Sequence, residues 1–268
     1  MPLLAANQVV LVDARSGPEA RQQYQQLHLA GARHVDLDQD LAAKVVDAAN
    51  GGRHPLPPIE QFAKLLGSLG IQPNTHVVVY DDKNGANAAA RFWWMLRAAG
   101  HTQVQVLDGG LPAALSAGLP TASGLEAAGS SAPYPTSGWQ WPTATAADVQ
   151  QATQTGQGLV IDVREARRFR GEIEPIDLVA GHIPGAVNVP FTDNLDAEGN
   201  FLSPQALKEK YSTLIDQYPA GVIVHCGSGV TACHTLLAID YAGLEVPKLY
   251  VGSWSEWSRN EHPIATGD

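Results

Sequence analysis

The sequence predicts an α/β protein made of two similar halves, each with a parallel β-sheet covered by helices on both faces. The 268-residue chain repeats a set of short segments in the same order. Its β-branched runs are continuously apolar, as is typical of strands buried on both faces of a parallel sheet. Helical patterns alternate with these strands, which indicates the α/β class.

Four pairs of segments carry the internal similarity. They are VVLVDAR (9–15) with LVIDVRE (159–165), HLAGARHVD (28–36) with HIPGAVNVP (182–190), THVVVYDD (75–82) with GVIVHCGS (221–228), and VQVLDGG (104–110) with LYVGSW (249–254). Chance rarely keeps four matches in order, so we predict a duplicated domain. The predicted domains are residues 1–120 and 143–268. The Gly/Ser/Pro/Ala-rich stretch 121–142, which contains Trp139 and Trp141, is the predicted linker between them.

The elements of each half follow from local patterns. The runs VVLVDA, HVVVY, LVIDV and VIVHC are predicted strands. Residues 62–70 and 88–100 are predicted helices, because each is a helical apolar pattern that ends in a glycine.

Composition excludes several classes of function. The net charge of −10 offers no electrostatic surface for nucleic acid or for an anionic membrane, and no apolar run is long enough to cross a bilayer. We see no signal peptide. The only two cysteines, Cys226 and Cys233, are too few for a disulfide framework or a zinc site, so we expect no metal. Free thiols fit a reducing compartment, and we expect a cytoplasmic protein.

The segment VIVHCGSGVTACHTLLAIDYAG, residues 222–243, carries the most chemical information. A buried strand ends at Cys226, a glycine-rich turn follows, and then a helix begins. Ligands bind outside the carboxyl ends of such strands. Glycines let several backbone N–H groups point to one centre, and the helix start adds positive charge. A thiolate is stabilised there, so we predict that Cys226 is a nucleophile and not an inert core cysteine.

The second copy of this loop supports the prediction. Its equivalent position is Asp81, so only residues 143–268 hold the nucleophile and residues 1–120 would act as scaffold. Cys233 lies further along the predicted helix and is expected in the core. His225 precedes the nucleophile on its strand, so its side chain is expected on the opposite face.

The CGSGVTA loop, the duplication and the HIPGA segment together resemble the tandem-domain rhodanese superfamily. The loop is similar to that of the 3-mercaptopyruvate sulfurtransferases, whereas thiosulfate-preferring rhodaneses usually have basic residues where this chain has Gly227 and Ser228. The resemblance implies two tandem rhodanese-like domains. It also implies a persulfide mechanism, in which Cys226 takes sulfur from a small anionic donor and passes it to a thiol, thioredoxin or cyanide. No cofactor is needed, because the sulfur atom is carried on the protein.

The resemblance also implies further site residues. Ser228 would work with His54 and Asp38 as a hydroxyl–imidazole–carboxylate relay that moves a proton. Donor-binding residues would be Arg168 and the loop residues Gly227, Gly229, Val230 and Thr231.

Three other arginines near Arg168 are not expected to bind the donor. At a fourth position, the family often has an arginine that this chain lacks. Arg164, Arg167 and Arg170 are expected on a solvated face. The family often has a second arginine in an E-P-R stretch, where this chain has Ile176 in EIEPID. His182 is expected to be structural, and Trp254 and Trp257 would either line a pocket or pack in the core.

Three alternatives stay open beside sulfur transfer from 3-mercaptopyruvate. The main donor could instead be thiosulfate, although the loop lacks basic residues at 227 and 228. A non-catalytic rhodanese-like binding module is disfavoured by the intact cysteine. A cysteine-dependent phosphatase is disfavoured because CGSGVTA lacks an arginine near its end.

Overall fold

The computed structural model of the protein describes residues 9–129, 132–218 and 220–268. These residues form two compact units. One unit comprises Met1–Ala43 with Leu56–Trp141, and the other comprises Lys44–Pro55 with Pro142–Asp268. A short segment from the first half of the chain therefore belongs to the second unit.

The first unit contains a parallel sheet of four strands in the order β3-β1-β4-β5. Its elements along the chain are β1 (Val9–Asp13), α1 (Ala20–Gln26), β2 (His28–Leu29), β3 (Arg33–His34), α2 (Leu37–Asp40), α3 (Ile59–Ser68), β4 (His76–Tyr80), α4 (Ala88–Ala98), β5 (Val104–Val106), α5 (Gly110–Ser116) and β6 (Thr121–Ala122). The short strands β2 and β6 pair antiparallel to each other outside this sheet.

The second unit repeats the plan with a parallel sheet of five strands in the order β7-β11-β10-β8-β9. Its elements are β7 (Thr143–Ala144), α6 (Ala146–Thr155), β8 (Leu159–Asp162), α7 (Ala166–Phe169), β9 (Val187–Asn188), a 3-10 helix (Phe191–Asn194), α8 (Pro204–Ile215), β10 (Val222–His225), α9 (Ala232–Tyr241), β11 (Lys248–Tyr250) and α10 (Ser253–Trp257). Two parallel sheets with helices confirm the predicted α/β fold.

The predicted strands are buried in the structure, and the predicted helices end at glycines. Val77–Val79 of β4 and all of β10 are buried, as their continuous apolar runs predict. The predicted helices 62–70 and 88–100 correspond to α3 and α4. Gly70 and Gly100 follow them with φ values of +73° and +94°, a conformation that costs glycine no steric strain and closes the helix end.

Part of the predicted linker 121–142 packs on the first unit. The Trp139 ring lies 5.4 Å from Phe62, and the Trp141 ring lies 5.4 Å from Trp93, measured between ring centroids. These aromatic contacts bury the end of the segment against α3 and α4. Thr121–Ala122 forms β6, which the sequence did not predict, and residues 130 and 131 lie outside the described residues.

The two central loops occupy equivalent places in the two sheets. Asp13 of β1 pairs with Tyr80 of β4, and Asp162 of β8 pairs with His225 of β10 in the same parallel register. The residue after Tyr80 is Asp81, and the residue after His225 is Cys226. Asp81 and Cys226 therefore each follow the residue that ends the pairing of the two central strands in their sheet.

In the first unit, the loop after β4 is filled by its own carboxylate. Asp81 is buried, and its Oδ1 accepts hydrogen bonds from the N–H groups of Lys83 (2.9 Å) and Gly85 (2.8 Å). Its Oδ2 accepts from the N–H groups of Asn87 and Ala89, both at 3.2 Å. This loop thus shows that the fold can gather several N–H groups around one anionic group at a strand end.

We expect Asp81→Ala to lower the free energy of unfolding by about 2–3 kcal/mol, because it removes the acceptor of several loop N–H groups. Urea unfolding followed by circular dichroism measures the change. The exposed neighbour Asp82 provides the control, and Asp82→Ala is expected to change stability by no more than about 0.5 kcal/mol. Equal losses in the two variants would show that the Asp81 carboxylate does not support the loop.

Candidate active site

Cys226 lies directly after β10 at the carboxyl end of the sheet, and only 3% of its surface is exposed. Its N–H donates to Ser253 Oγ at 3.2 Å, and its carbonyl accepts from the N–H of Trp254 at 3.0 Å. The next carbonyl, of Gly227, accepts from the N–H of Ser255 at 2.8 Å. The first turn of α10 therefore fixes the backbone on both sides of the thiol.

The loop between Cys226 and α9 presents backbone N–H groups. Gly229 has a φ of +72°, which turns the chain back toward the helix. In the part of the chain that the structure describes, the N–H groups of Gly227, Ser228, Val230 and Thr231 donate to no protein acceptor. The loop thus offers an anion the kind of donors that Asp81 occupies in the first unit.

Ser228 and His54 form a hydrogen-bonded pair within the second unit. The Oγ of Ser228 lies 2.8 Å from Nδ1 of His54. Segment Lys44–Pro55, which carries His54, is tied to α10 and the residues after it. The Gly51 N–H donates to Glu256 Oε1 (2.9 Å) and the Nδ2 of Asn260 donates to the carbonyl of Ala49 (2.9 Å). The structure therefore brings together two of the residues that the sequence predicts for the relay.

Asp38, the third residue predicted for the relay, lies in the first unit as the second residue of α2. Its N–H donates to Oδ1 of Asp36, which caps this helix, at 2.9 Å. Asp36 thus has a local structural task. The role of Asp38 stays a prediction.

Two guanidinium groups converge beside the nucleophile loop. A Cβ atom on Gly227 would lie 3.2 Å from Nη2 of Arg53 and 3.6 Å from Nη2 of Arg168. Arg168 donates to Glu174 at 2.7 Å, and Arg53 donates through Nε to Asp177 at 3.1 Å. The predicted donor-binding arginine, Arg168, is therefore next to the loop.

Three charged residues near the loop were not predicted from the sequence, namely Arg53, Glu174 and Asp177. Arg53 directly precedes His54 in GGRHPLP, which was its only available signal. Asp177 follows Ile176 in EIEPID and is buried, with its carboxylate also accepting from Arg259 Nη1 at 2.9 Å. Ile176 itself is 53% exposed.

Arg164 differs from the expected solvated face. It is buried beneath the site and donates to Asp162 Oδ2 at 2.7 Å and to the carbonyl of Gly181 at 2.8 Å. Its guanidinium also stacks 4.7 Å from the ring centroid of Trp254. The expectation was wrong because Arg164 follows a strand and its side chain folds back onto the buried Asp162. Arg167 is exposed, as expected.

His225 lies behind the nucleophile with Asp162. Its Nε2 is 3.7 Å from Asp162 Oδ2, and its Nδ1 is 3.1 Å from the carbonyl oxygen of Cys226. Burial lowers the pKa of His225, which favours a neutral ring. Burial opposes ionisation of Asp162, but the charge and hydrogen bonds of Arg164 outweigh it and hold the pKa of this carboxyl below its usual range. This cluster is fully buried and supports the strand end.

The remaining residues singled out by sequence pack in the interior. Cys233 is buried, and its thiol donates to the carbonyl of Gly229 at 3.4 Å. The His182 ring stacks on Phe169 at 3.8 Å between centroids. Trp254 and Trp257 are buried in one apolar cluster and belong to the core.

The described residues contain no cluster of three His, Cys, Asp or Glu side chains that could hold a metal ion. Within the same ranges, none of the helices is long and apolar enough to cross a membrane.

A side chain at position 229 is expected to distort the nucleophile loop. In Gly229→Ala the added Cβ would overlap the carbonyl oxygen of Val251, in addition to the strain of a positive φ. We expect the free energy of unfolding to fall by at least about 2 kcal/mol. Gly243 has the same φ of +72° with open space around it, so Gly243→Ala should lose only about 1 kcal/mol. Urea unfolding of both variants measures the difference, and equal losses would exclude a tight contact at Gly229.

Comparison with known proteins agrees with this geometry. The family model of the rhodanese-like domain matches residues 2–117 and 145–260. A Pseudomonas aeruginosa protein named "Probable 3-mercaptopyruvate sulfurtransferase" is 46% identical over 253 residues, which cover 91% of this chain and 86% of the relative. A Mycobacterium tuberculosis protein named "Putative thiosulfate sulfurtransferase SseB" is 39% identical over 278 residues, covering 98% of this chain and 93% of the relative.

A solved structure shows the same architecture. The 3-mercaptopyruvate sulfurtransferase from Leishmania major superposes with a TM-score of 0.76 at 32% identity, covering 94% of this chain and 70% of that one. The residues that the family model matches include all four strands of the first sheet, strands β8 to β11 of the second sheet, and the loop after β10. The chain belongs to the rhodanese-like family, as a sulfurtransferase with two tandem copies of the domain.

Proposed function

We propose that this protein transfers sulfur from 3-mercaptopyruvate to a thiol acceptor through a persulfide on Cys226. The observation that carries the proposal is the position of the thiol. Cys226 is a free cysteine at a loop where the N–H groups of Gly227, Ser228, Val230 and Thr231 have no protein acceptor among the described residues. Two guanidinium groups lie beside this loop. Such surroundings stabilise both a thiolate and an anionic persulfide.

The reaction would proceed in two steps. The Cys226 thiolate attacks the donor sulfur, a sulfur–sulfur bond forms and the carbon–sulfur bond breaks. The electron pair of that bond stays on the departing carbon as the enolate of pyruvate, which takes the proton that the donor thiol gives up. An acceptor thiolate then attacks the outer sulfur of the persulfide, and the Cys226 thiolate is restored.

The Ser228–His54 pair is suited to the proton transfer. At 2.8 Å, the hydroxyl and the imidazole can exchange a proton directly, and Ser228 is two residues from Cys226 on the nucleophile loop. In this proposal the pair moves the proton from the donor thiol to the enolate carbon. Asp38 would orient His54, as the third member of the relay.

We also propose a role for each part of the chain, an acceptor and a compartment. Residues 143–268 would be the catalytic domain, residues 1–120 the domain without a nucleophile, and residues 121–142 the linker. The acceptor would be a small thiol, thioredoxin or cyanide. Both cysteines are free thiols, which fits the reducing cytoplasm that we propose as the compartment.

Thiosulfate is the second candidate donor. Its name is carried by the Mycobacterium tuberculosis relative, and Arg53 and Arg168 supply beside Gly227 the positive charge that the loop sequence lacks. We favour 3-mercaptopyruvate because the loop lacks basic residues at 227 and 228, and because the Pseudomonas aeruginosa relative, at 46% identity, carries that donor's name.

The persulfide can be measured directly. After incubation with 3-mercaptopyruvate, the intact mass of the reduced protein should rise by one sulfur atom, and this gain should be absent in Cys226→Ala. The buried Cys233 provides the control, since Cys233→Ala should still gain the sulfur. Loading should be slower with thiosulfate. An unmodified wild-type protein after treatment with either donor would favour the non-catalytic binding module instead.

Removal of either member of the Ser228–His54 pair is expected to lower kcat by about 100-fold, because each variant breaks the same proton path. The double variant Ser228→Ala/His54→Ala should be no slower than the single variants, since residues that act as a unit are not additive. His76→Ala, in the first unit, serves as the control with unchanged kcat. Independent, multiplicative losses would separate the two residues in the mechanism.

A further inference from the structure

We infer that Glu256 is a positioning residue, which keeps His54 at hydrogen-bonding distance from Ser228 by fixing the segment that carries the imidazole. This inference deepens the proposed function and rests on its proton transfer through the Ser228–His54 pair. Glu256 lies in α10, 205 positions after Gly51, the residue of the segment that it binds. It acts through this segment and not on the substrate.

Segment Lys44–Pro55 depends on its surroundings for a fixed position. It contains no helix or strand, and the structure describes it throughout. Its internal hydrogen bonds form local turns, such as the one in which the N–H of Gly52 donates to the carbonyl of Ala48 at 3.1 Å. Local turns leave the placement of His54 to the contacts that the segment makes with other elements.

Glu256 supplies the charged contact of the segment. Its Oε1 accepts from the N–H of Gly51 at 2.9 Å, three positions before His54. A hydrogen bond to a carboxylate is about twice as strong as one between neutral groups. A second link comes from Asn260, whose Nδ2 donates to the carbonyls of Ala49 and Glu256, each at 2.9 Å. Both links therefore join the segment to α10 and the turn after it.

Two glycines let the segment lie directly against the start of α10. Gly52 has a φ of +81°, and a Cβ at this position would overlap the carbonyl oxygen of Gly252. A Cβ on Gly252 would in turn overlap the carboxylate of Glu256. Beside this contact, the N–H of Arg53 donates to Ser255 Oγ at 3.1 Å. The close approach of the two backbones fixes the residues immediately before the imidazole.

The same helix holds the other partner of the pair. Backbone N–H groups of its first turn donate to the carbonyls of Cys226 (3.0 Å) and Gly227 (2.8 Å), just before Ser228. Helix α10 is therefore the common support of the hydroxyl and the imidazole, which lie 2.8 Å apart. Because Glu256 binds the segment through its side chain, replacing this side chain loosens the imidazole and leaves the backbone hydrogen bonds of the nucleophile loop in place.

The kinetics of Glu256→Ala test the inference. We expect kcat for sulfur transfer from 3-mercaptopyruvate to fall about tenfold, because a displacement of about 1 Å at a catalytic group can cost about 100-fold. Glu256→Gln keeps an acceptor oxygen for the N–H of Gly51, so its kcat should stay within about threefold of the wild type. Glu261→Ala removes an exposed acid from the turn after α10 and is the matched control, with unchanged kcat.

A double variant shows whether Glu256 acts through His54. In the His54→Ala background, Glu256→Ala should lower kcat by less than about twofold, because residues that act as a unit are not additive. Two further measurements separate this role from a general loss of structure. The rate at which iodoacetamide alkylates Cys226 should equal that of the wild type. Hydrogen exchange of residues 51–53, measured by mass spectrometry, should be about tenfold faster, as loss of one charge-assisted hydrogen bond predicts.

Three results would each overturn the inference: a kcat of Glu256→Ala within about twofold of the wild type, unchanged exchange of residues 51–53, or a further tenfold loss of kcat in the His54→Ala background. An alkylation rate that falls together with kcat would also overturn it. If Glu256→Ala does not fold, Asn260→Ala replaces it, because Asn260 is exposed and forms the second link. A kcat equal to that of the wild type in Asn260→Ala then overturns the inference.

These outcomes are distinguishable from failure of the proposed function. Any of them in a protein whose wild type transfers sulfur contradicts the role of Glu256 alone. A wild-type protein that transfers no sulfur overturns the proposed function and, with it, this role.

Discussion

The site depends on the hydrogen bonds between the nucleophile loop and the first turn of α10. Ser253, Trp254 and Ser255 bind the backbone on both sides of the thiol through one hydroxyl and two N–H groups. Ser253 adopts a φ of +53°, which is uncommon for a residue with a side chain, and its hydroxyl also donates to the carbonyl of Tyr250 at 2.8 Å. The Oγ of Ser255 accepts from the N–H of Arg53, so the same turn holds the segment that carries Arg53 and His54.

The two copies of the domain use one architecture for opposite purposes. In both copies, a buried central strand is followed by a residue with an acidic side chain or a thiol, Asp81 or Cys226, and a loop then leads into a helix. In the first copy the Asp81 carboxylate accepts hydrogen bonds from four N–H groups of the loop and the helix start. In the second, the shorter Cys226 stands at the same register position, and the N–H groups of Gly227, Ser228, Val230 and Thr231 have no protein acceptor among the described residues.

Much of this could be predicted from the sequence. Continuous apolar strands, glycine helix ends and ordered repeats are local signals, and they were sufficient to predict the fold and the position of Cys226 at the end of a buried strand. Arg53 and Asp177 were missed because they lie 124 positions apart in the chain. The sequence near either residue does not predict a contact with the other. Arg164 was misjudged because one strand-end turn, and not helix periodicity, directs its side chain to Asp162. A long-range ion pair produces no periodic pattern of residue types from which it could be predicted.

Segment Lys44–Pro55 has a consequence for the history of the duplication. A chain cut at the linker into two halves would separate His54 and Arg53 from Cys226, although all three belong to one compact unit. The half of the chain with the nucleophile therefore lacks two residues of its own compact unit. The half without the nucleophile contains these residues, and their side chains lie beside the nucleophile loop. Because the second unit includes segment Lys44–Pro55 from the first half of the chain, deletion of either half would remove part of that unit. This dependence is a physical reason for keeping a domain that has no nucleophile of its own.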